Sequence, residues 1–163
     1  MSSSSPGWVQ AHALVAIWPQ YLVYVASFAT IGIMWLNHHA LFDRARKITH
    51  GVLVANLGLL ALVSFLPFTT EVLGRLGLTP AAVVYYGITL TAISAGYFAV
   101  QQQVLAAHPE SRVAVSLWNL AGLAGYPLAT LIGFFVPVLG IALIALLAVF
   151  YMLPRNVSAA LLK

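Results

Sequence analysis

From Val113 to Leu153 the chain carries no charged side chain. An α-helix rises about 1.5 Å per residue, so as one helix this stretch would reach about 60 Å, twice the roughly 30 Å core of a bilayer. It must therefore be two helices joined by a tight turn. Gly133 and Pro137 supply the breaker chemistry and place that turn between them. Hydrophobic residues make up 62% of the 163 positions and charged residues only 6%. A soluble domain is nearer about one quarter charged. A protein of this size cannot hide so much apolar surface internally, so lipid must be the solvent for much of it.

The rest of the chain divides the same way. A first apolar run, about 17–41, is stopped by the charge cluster Asp43-Arg44-Ala45-Arg46-Lys47. A second, about 52–73, closes on Gly74-Arg75 and contains Pro67, which should kink it or break its last turns. A third, about 81–105, starts after Thr79-Pro80, with Pro in the first helical turn, and ends before His108-Pro109. With the final pair, about 113–133 and 137–153, the prediction is an all-α, polytopic transmembrane bundle of five helices in one domain.

Basic residues set the orientation of such a bundle. Arg44, Arg46, Lys47, Arg112, Arg155 and Lys163 fall on one side of a five-helix serpentine, and only Arg75 falls on the other. This predicts a multi-pass protein of the cell membrane with its C-terminus cytoplasmic and its N-terminus external. The net charge of +4 is then a topology signal between apolar runs rather than a nucleic-acid surface. The opening residues Met1 to Gly7 are Ser-rich and lack the basic start of a secretory signal.

Several chemistries find no support. The chain has no cysteine, hence no disulfide framework, thiolate metal site or cysteine nucleophile. It shows no Gly-rich phosphate loop, catalytic triad or paired carboxylate, and no Thr-Val-Gly-Tyr-Gly filter. No acidic residue lies near a midplane to relay protons, which argues against a transporter or membrane enzyme. The expectation is a non-enzymatic protein without a cofactor.

Two features invite a functional reading. At the end of the first run stands Trp35-Leu36-Asn37-His38-His39. Trp35 shares a helical face with His38 and His39, and Asn37 points elsewhere. The cluster is either a membrane-interface cap or a buried hydrogen-bond network joining neighbouring helices. Adjacent His38 and His39 project about 100° apart on a helix, so a shared metal ion is disfavoured. Asn56, Ser64, Asn119 and Thr130 are further polar residues at membrane depth, each able to bond its own helix or a neighbour. Glu71 and Arg75 are spaced for an interfacial ion pair. The second feature is small residues at four-residue spacing: Gly87, Thr91, Ala95 and Ala99 on the third helix, and Ala121, Gly125, Ala129 and Gly133 on the fourth. These are expected to form helix-packing faces, within the chain or between subunits.

The segment Tyr24-Val-Ala-Ser27-Phe28-Ala-Thr-Ile-Gly32-Ile-Met-Trp35-Leu-Asn37-His38-His39-Ala-Leu-Phe42 resembles the transmembrane protein 175 potassium channel family. Bacterial members carry an aromatic residue, a Ser-Phe pair, then Trp, Asn and His before a basic loop. The next stretch, Asn56 to Phe68 with Leu66-Pro67-Phe68, is similar to that family's third helix. The resemblance is specific over Trp18 to Leu73. It implies a six-helix repeat assembled as a homotetramer, with potassium as the permeant ion and an apolar constriction in place of a carbonyl filter. In the family the first helix lines the pore and bears an Arg and a Phe-Ser-Asp motif. Nothing in this sequence matches that helix, and Met1 to Trp18 look like the loop that follows it. The resemblance also makes Trp35, Asn37 and His38 an interhelical polar network whose partners lie on that unmatched helix. These residues are accordingly expected to lack partners within the five helices, and the pore-lining residues stay unassigned. The implied function is a potassium-permeable leak channel subunit, with a non-conducting scaffold or partner subunit as the alternative.

Overall fold

The structure, a computed structural model, describes residues 18–43, 45, 48–107 and 117–153, and these are helical almost throughout. The six basic residues that set the predicted orientation, Arg44, Arg46, Lys47, Arg112, Arg155 and Lys163, lie outside the described residues, as do Met1 to Gly7.

Helix α1 spans Trp18–Phe42 and ends as its chain meets Asp43. Helix α2, His50–Ser64, is opened by Thr49, whose backbone is extended and whose side-chain oxygen accepts the Val52 N–H at 3.4 Å. It passes into α3, Leu66–Leu76, through a break at Phe65. The break has a local cause. Pro67 has no N–H to return to the carbonyl of Val63, and the N–H of Phe65 turns to Leu62 and Val63 instead. The ladder restarts when Thr69 donates to the Phe65 carbonyl at 3.1 Å. Gly77 ends α3 at φ 63°, a left-handed conformation that a side chain would strain.

Helix α4, Pro80–Ala107, begins where Thr79 caps it, accepting Val83 N–H on its carbonyl at 3.0 Å. Helices α5, Leu117–Phe135, and α6, Pro137–Met152, form a hairpin with Val136 alone between them. The uncharged stretch therefore folds back one residue before Pro137. Pro127 sits inside α5, which continues through it. Among the described residues, His50–Leu76 and Pro80–Ala107 are long and apolar enough to cross a membrane, and shorter apolar helices follow in α5 and α6.

Helix α4 is the hub. It packs against α5 on one side and against α2 and α3 on the other, and it also touches α6. Helix α1 lies on α3 and reaches α6. Leu66, Leu90, Val52, Val83, Val100 and Thr69 are fully enclosed. The exterior carries large apolar side chains, among them Tyr24, Phe28, Leu57, Phe65, Phe135 and Leu146.

The small-residue faces pack within the chain only in part. Gly87 is buried against Thr130, so close that an added Cβ would collide with it. Ala95 and Ala99, however, are exposed. Steps of four residues overshoot a helical turn by about 40° each, so a face begun at Gly87 has rotated outward by Ala95. The inward line on α4 alternates threes and fours instead, through Val83, Gly87, Leu90, Ser94, Tyr97 and Gln101. On α5, Ala129 and Gly133 are buried and Ala121 and Gly125 half-buried. Gly125 faces Leu147 of α6, and Gly133 meets both Val83 of α4 and Gly140 of α6. A Cβ on Gly140 would strike the backbone of Gly133 and lie 3.0 Å from the Ala129 carbonyl oxygen. The hairpin is thus packed backbone on backbone.

Candidate functional site: a polar node between α1, α2, α4 and α6

Polar side chains from four helices converge inside the bundle. The Asn37 side-chain amide donates to the carbonyl of Ile33 at 2.9 Å and to that of Tyr151 at 3.0 Å. Tyr151 lies in the last turn of α6, where carbonyls have no partner of their own helix, so Asn37 caps α6 from a neighbouring helix. The hydroxyl of Tyr97 on α4 donates to the backbone carbonyl of Asn37 at 3.1 Å. Asn37 consequently ties α1 to α4 and α6 at once. One residue on, His38 Nε2 stands 2.7 Å from Asn56 Oδ1 and joins α1 to α2. The imidazole must be protonated at Nε2 for this bond, which leaves Phe42 stacked on its ring at a 4.5 Å centroid distance.

The expectation that Asn37 and His38 lack partners within this chain is therefore corrected: they bond Tyr151, Tyr97 and Asn56. The partners escaped sequence reading because they are a tyrosine hydroxyl, a helix-end carbonyl and a residue on the next helix. Tyr97 and Tyr151 were legible only as aromatic residues in apolar runs, although a buried tyrosine hydroxyl ordinarily seeks a partner.

Trp35 is placed differently. It is exposed, and its ring stacks on His39 at 5.2 Å and nearly parallel. His39 in turn lies 3.6 Å from Asp43. The two histidines thus serve opposite sides of α1, His38 inward and His39 outward, as the angular step between neighbours requires. Among the described residues, no group of three His, Asp or Glu side chains converges as a metal site would need.

Other polar residues satisfy themselves locally. Ser64 donates to the Ala61 carbonyl at 2.7 Å and Thr130 to that of Tyr126 at 2.7 Å. Arg75 pairs with Glu71 at 2.7 Å on the exposed surface of α3. The side chain of Asn119 lies outside the described residues. Deeper in the bundle, the Tyr86 side chain of α4 is buried, with Thr30 of α1 and Thr70 of α3 beside it, a three-helix contact that no motif signalled.

A cavity of about 340 Å³ adjoins the node. Its walls are mainly apolar, from Ile31, Met34, Leu59, Val63, Leu90 and Ile93. Asn37, His38, Asn56, Tyr97 and Gln101 supply polar points on them.

Taken together these features define an all-helical protein with an apolar exterior and a polar node joining its helices. Residues 5–67 match the profile of the endosomal/lysosomal potassium channel TMEM175 family. The chain is 42% identical over 82 residues to a potassium channel of Chamaesiphon minutus, covering 48% of this chain and 40% of that one. It is 29% identical over 147 residues to a potassium channel of a Chryseobacterium strain, covering 87% of this chain and 77% of the relative. It is also 44% identical over 59 residues to the mouse endosomal/lysosomal proton channel TMEM175, covering 36% of this chain and 12% of that protein. No solved structure matches it. These similarities tie residues 5–67 of the chain to the TMEM175 family. Trp35, Asn37, His38 and Asn56 all lie within the matched segment.

Proposed function

We propose that this chain is a subunit of a potassium-permeable cation channel that crosses the cell membrane several times and assembles as a homotetramer. The observation that carries the reading is the family segment 5–67, shared with bacterial proteins described as potassium channels. The physical setting agrees with it. Large apolar side chains cover the exterior, which water would penalise and lipid would not. The polar side chains of the node turn inward, and the more exposed Thr30, Ser64 and Thr89 bond carbonyls of their own helices, as they must where the surroundings offer no hydrogen bonds. In this reading the node around Asn37 and His38 holds α1 in register with α2, α4 and α6, and so fixes the helix that neighbours the permeation path.

The test is potassium flux in liposomes, followed by the quenching of a proton-sensitive dye when a protonophore allows compensating proton entry. The 163 residues are reconstituted alone, and also preceded by a helix bearing the Phe-Ser-Asp motif. Potassium-dependent flux above that of empty vesicles in at least one arm is expected. Absence of flux in both arms, with a related potassium channel conducting under the same conditions, would refute the channel reading. Flux of protons without potassium would reassign the permeant ion.

A further inference from the structure

Helices α1 and α2 follow one another in the chain but scarcely touch. Helix α1 packs on α3 and reaches α6, and it meets α2 through the His38–Asn56 bond at 2.7 Å. The space left between them is the cavity of about 340 Å³. Its lining runs along α4 from Leu90 to Gln101, about 16 Å at the helical rise and about half the depth of a bilayer core. Spread over that length, the volume is a slot parallel to the helices, wide enough for one hydrocarbon chain. Two exposed apolar side chains, Trp35 of α1 and Leu60 of α2, stand on its lining, so the slot opens sideways between these helices. In the membrane setting proposed above, it opens onto lipid.

The walls restrict what can fill the slot. No Asp, Glu, Lys or Arg is among the described lining residues, so a charged group would be buried without a counter-charge. Asn37 gives its amide protons to the carbonyls of Ile33 and Tyr151, Tyr97 gives its hydroxyl proton to Asn37, and His38 is taken by Asn56. The Gln101 oxygen is enclosed and out of reach. The half-buried Ile31, Met34 and Val63 make the wall mainly apolar. Each water molecule would need about two to four polar partners there. An unfilled slot would forfeit the contacts of its lining atoms.

We propose that this slot is a lipid-binding site that takes one acyl chain of a phospholipid from the surrounding bilayer. The chain enters between Trp35 and Leu60 and packs along Ile31, Met34 and Val63. The proposal rests on the membrane setting and is independent of which ion the protein conducts.

Ser94 and Tyr97 make the test specific. They stand on the inward line of α4 and line the slot, and both are only half-buried, so the surface they keep open is the slot's. The full chain is placed in phosphatidylcholine nanodiscs doped with a phosphatidylcholine that carries a diazirine midway along one acyl chain. After irradiation, lipid adducts are located by peptide mass spectrometry. Adducts are expected on the exposed Leu57 and Leu146, which report the surrounding lipid, and also on Ser94 or Tyr97. Ala148→Phe fills the slot from α6, and should lose the adducts on Ser94 and Tyr97 while keeping those on Leu57. Wild-type adducts confined to exterior residues, or interior adducts that survive Ala148→Phe, would overturn the proposal and leave the membrane setting intact. A lack of adducts at Leu57 and Leu146 as well would overturn both. The wild-type pattern decides the matter even if the variant does not fold.

Discussion

The α5–α6 hairpin offers the sharpest test of the packing, because three glycines in one chain differ in what a single added carbon would meet. At Gly140 an alanine Cβ would collide with Gly133 Cα, lie 2.9 Å from its nitrogen and 3.0 Å from the Ala129 carbonyl oxygen. All three are backbone atoms, so relief requires the two helices to move apart. Overpacking of this kind costs about 1–3 kcal/mol. At Gly125 the nearest atoms are the terminal methyl groups of Leu147, at 3.0 and 3.1 Å, and a rotamer adjustment can absorb the strain. The helix preference for Ala over Gly, about 1 kcal/mol, then roughly offsets it. At Gly58, on the exposed side of α2, nothing lies within 4 Å, and that preference acts unopposed. For a chain of this size each kcal/mol moves the melting temperature by about 2–4 °C. Circular dichroism melts in one detergent should therefore order the variants as Gly58→Ala at or above wild type, Gly125→Ala within about 3 °C of wild type, and Gly140→Ala, in which the same helix preference acts, lower than Gly58→Ala by roughly 2–12 °C. If Gly140→Ala melts with Gly58→Ala, the two helices do not meet backbone to backbone and the reasoning fails.

The polar node and the orientation give three further expectations. Asn37→Leu removes the cap on the Tyr151 carbonyl and should destabilise by about 1–3 kcal/mol, read as a lower melting temperature and faster proteolysis of the α6 end. A double-mutant cycle on His38→Ala and Asn56→Ala should show coupling of about 0.5–3 kcal/mol, and strict additivity would mean that their 2.7 Å contact carries no energy. Reporter fusions after Lys163 and within residues 74–80 should report opposite sides of the membrane, with the C-terminal one cytoplasmic, and the same side for both would reject the proposed topology.

Much of the architecture was legible because a few residues act alone. A proline lacks its N–H wherever it stands, and Pro67 and Pro137 mark the α2–α3 break and the start of α6, although Pro127 lies within α5 without ending it. Thr79 and Pro80 begin α4 for equally local reasons, and Glu71 with Arg75 needs only the helical pitch. The Trp35–His39 cluster stood out as polar residues closing an apolar run, and the family segment runs through it.

The identity of the partners was a tertiary matter. Whether Asn37 faces a carbonyl at the end of α6, whether His38 reaches Asn56, and whether Tyr97 has an acceptor all depend on how helices far apart in sequence are rotated against each other. Composition and spacing constrain that rotation only loosely, because in lipid almost any face of an apolar helix is soluble. The four-residue series on α4 shows the consequence: Gly87 packs and Ala95 does not, since a helix turns by about 100° per residue and the contact follows the neighbour rather than the motif. For the same reason only the packing of helices around α4 decided that Gln101 is buried, with no partner for its Oε1 among the described residues.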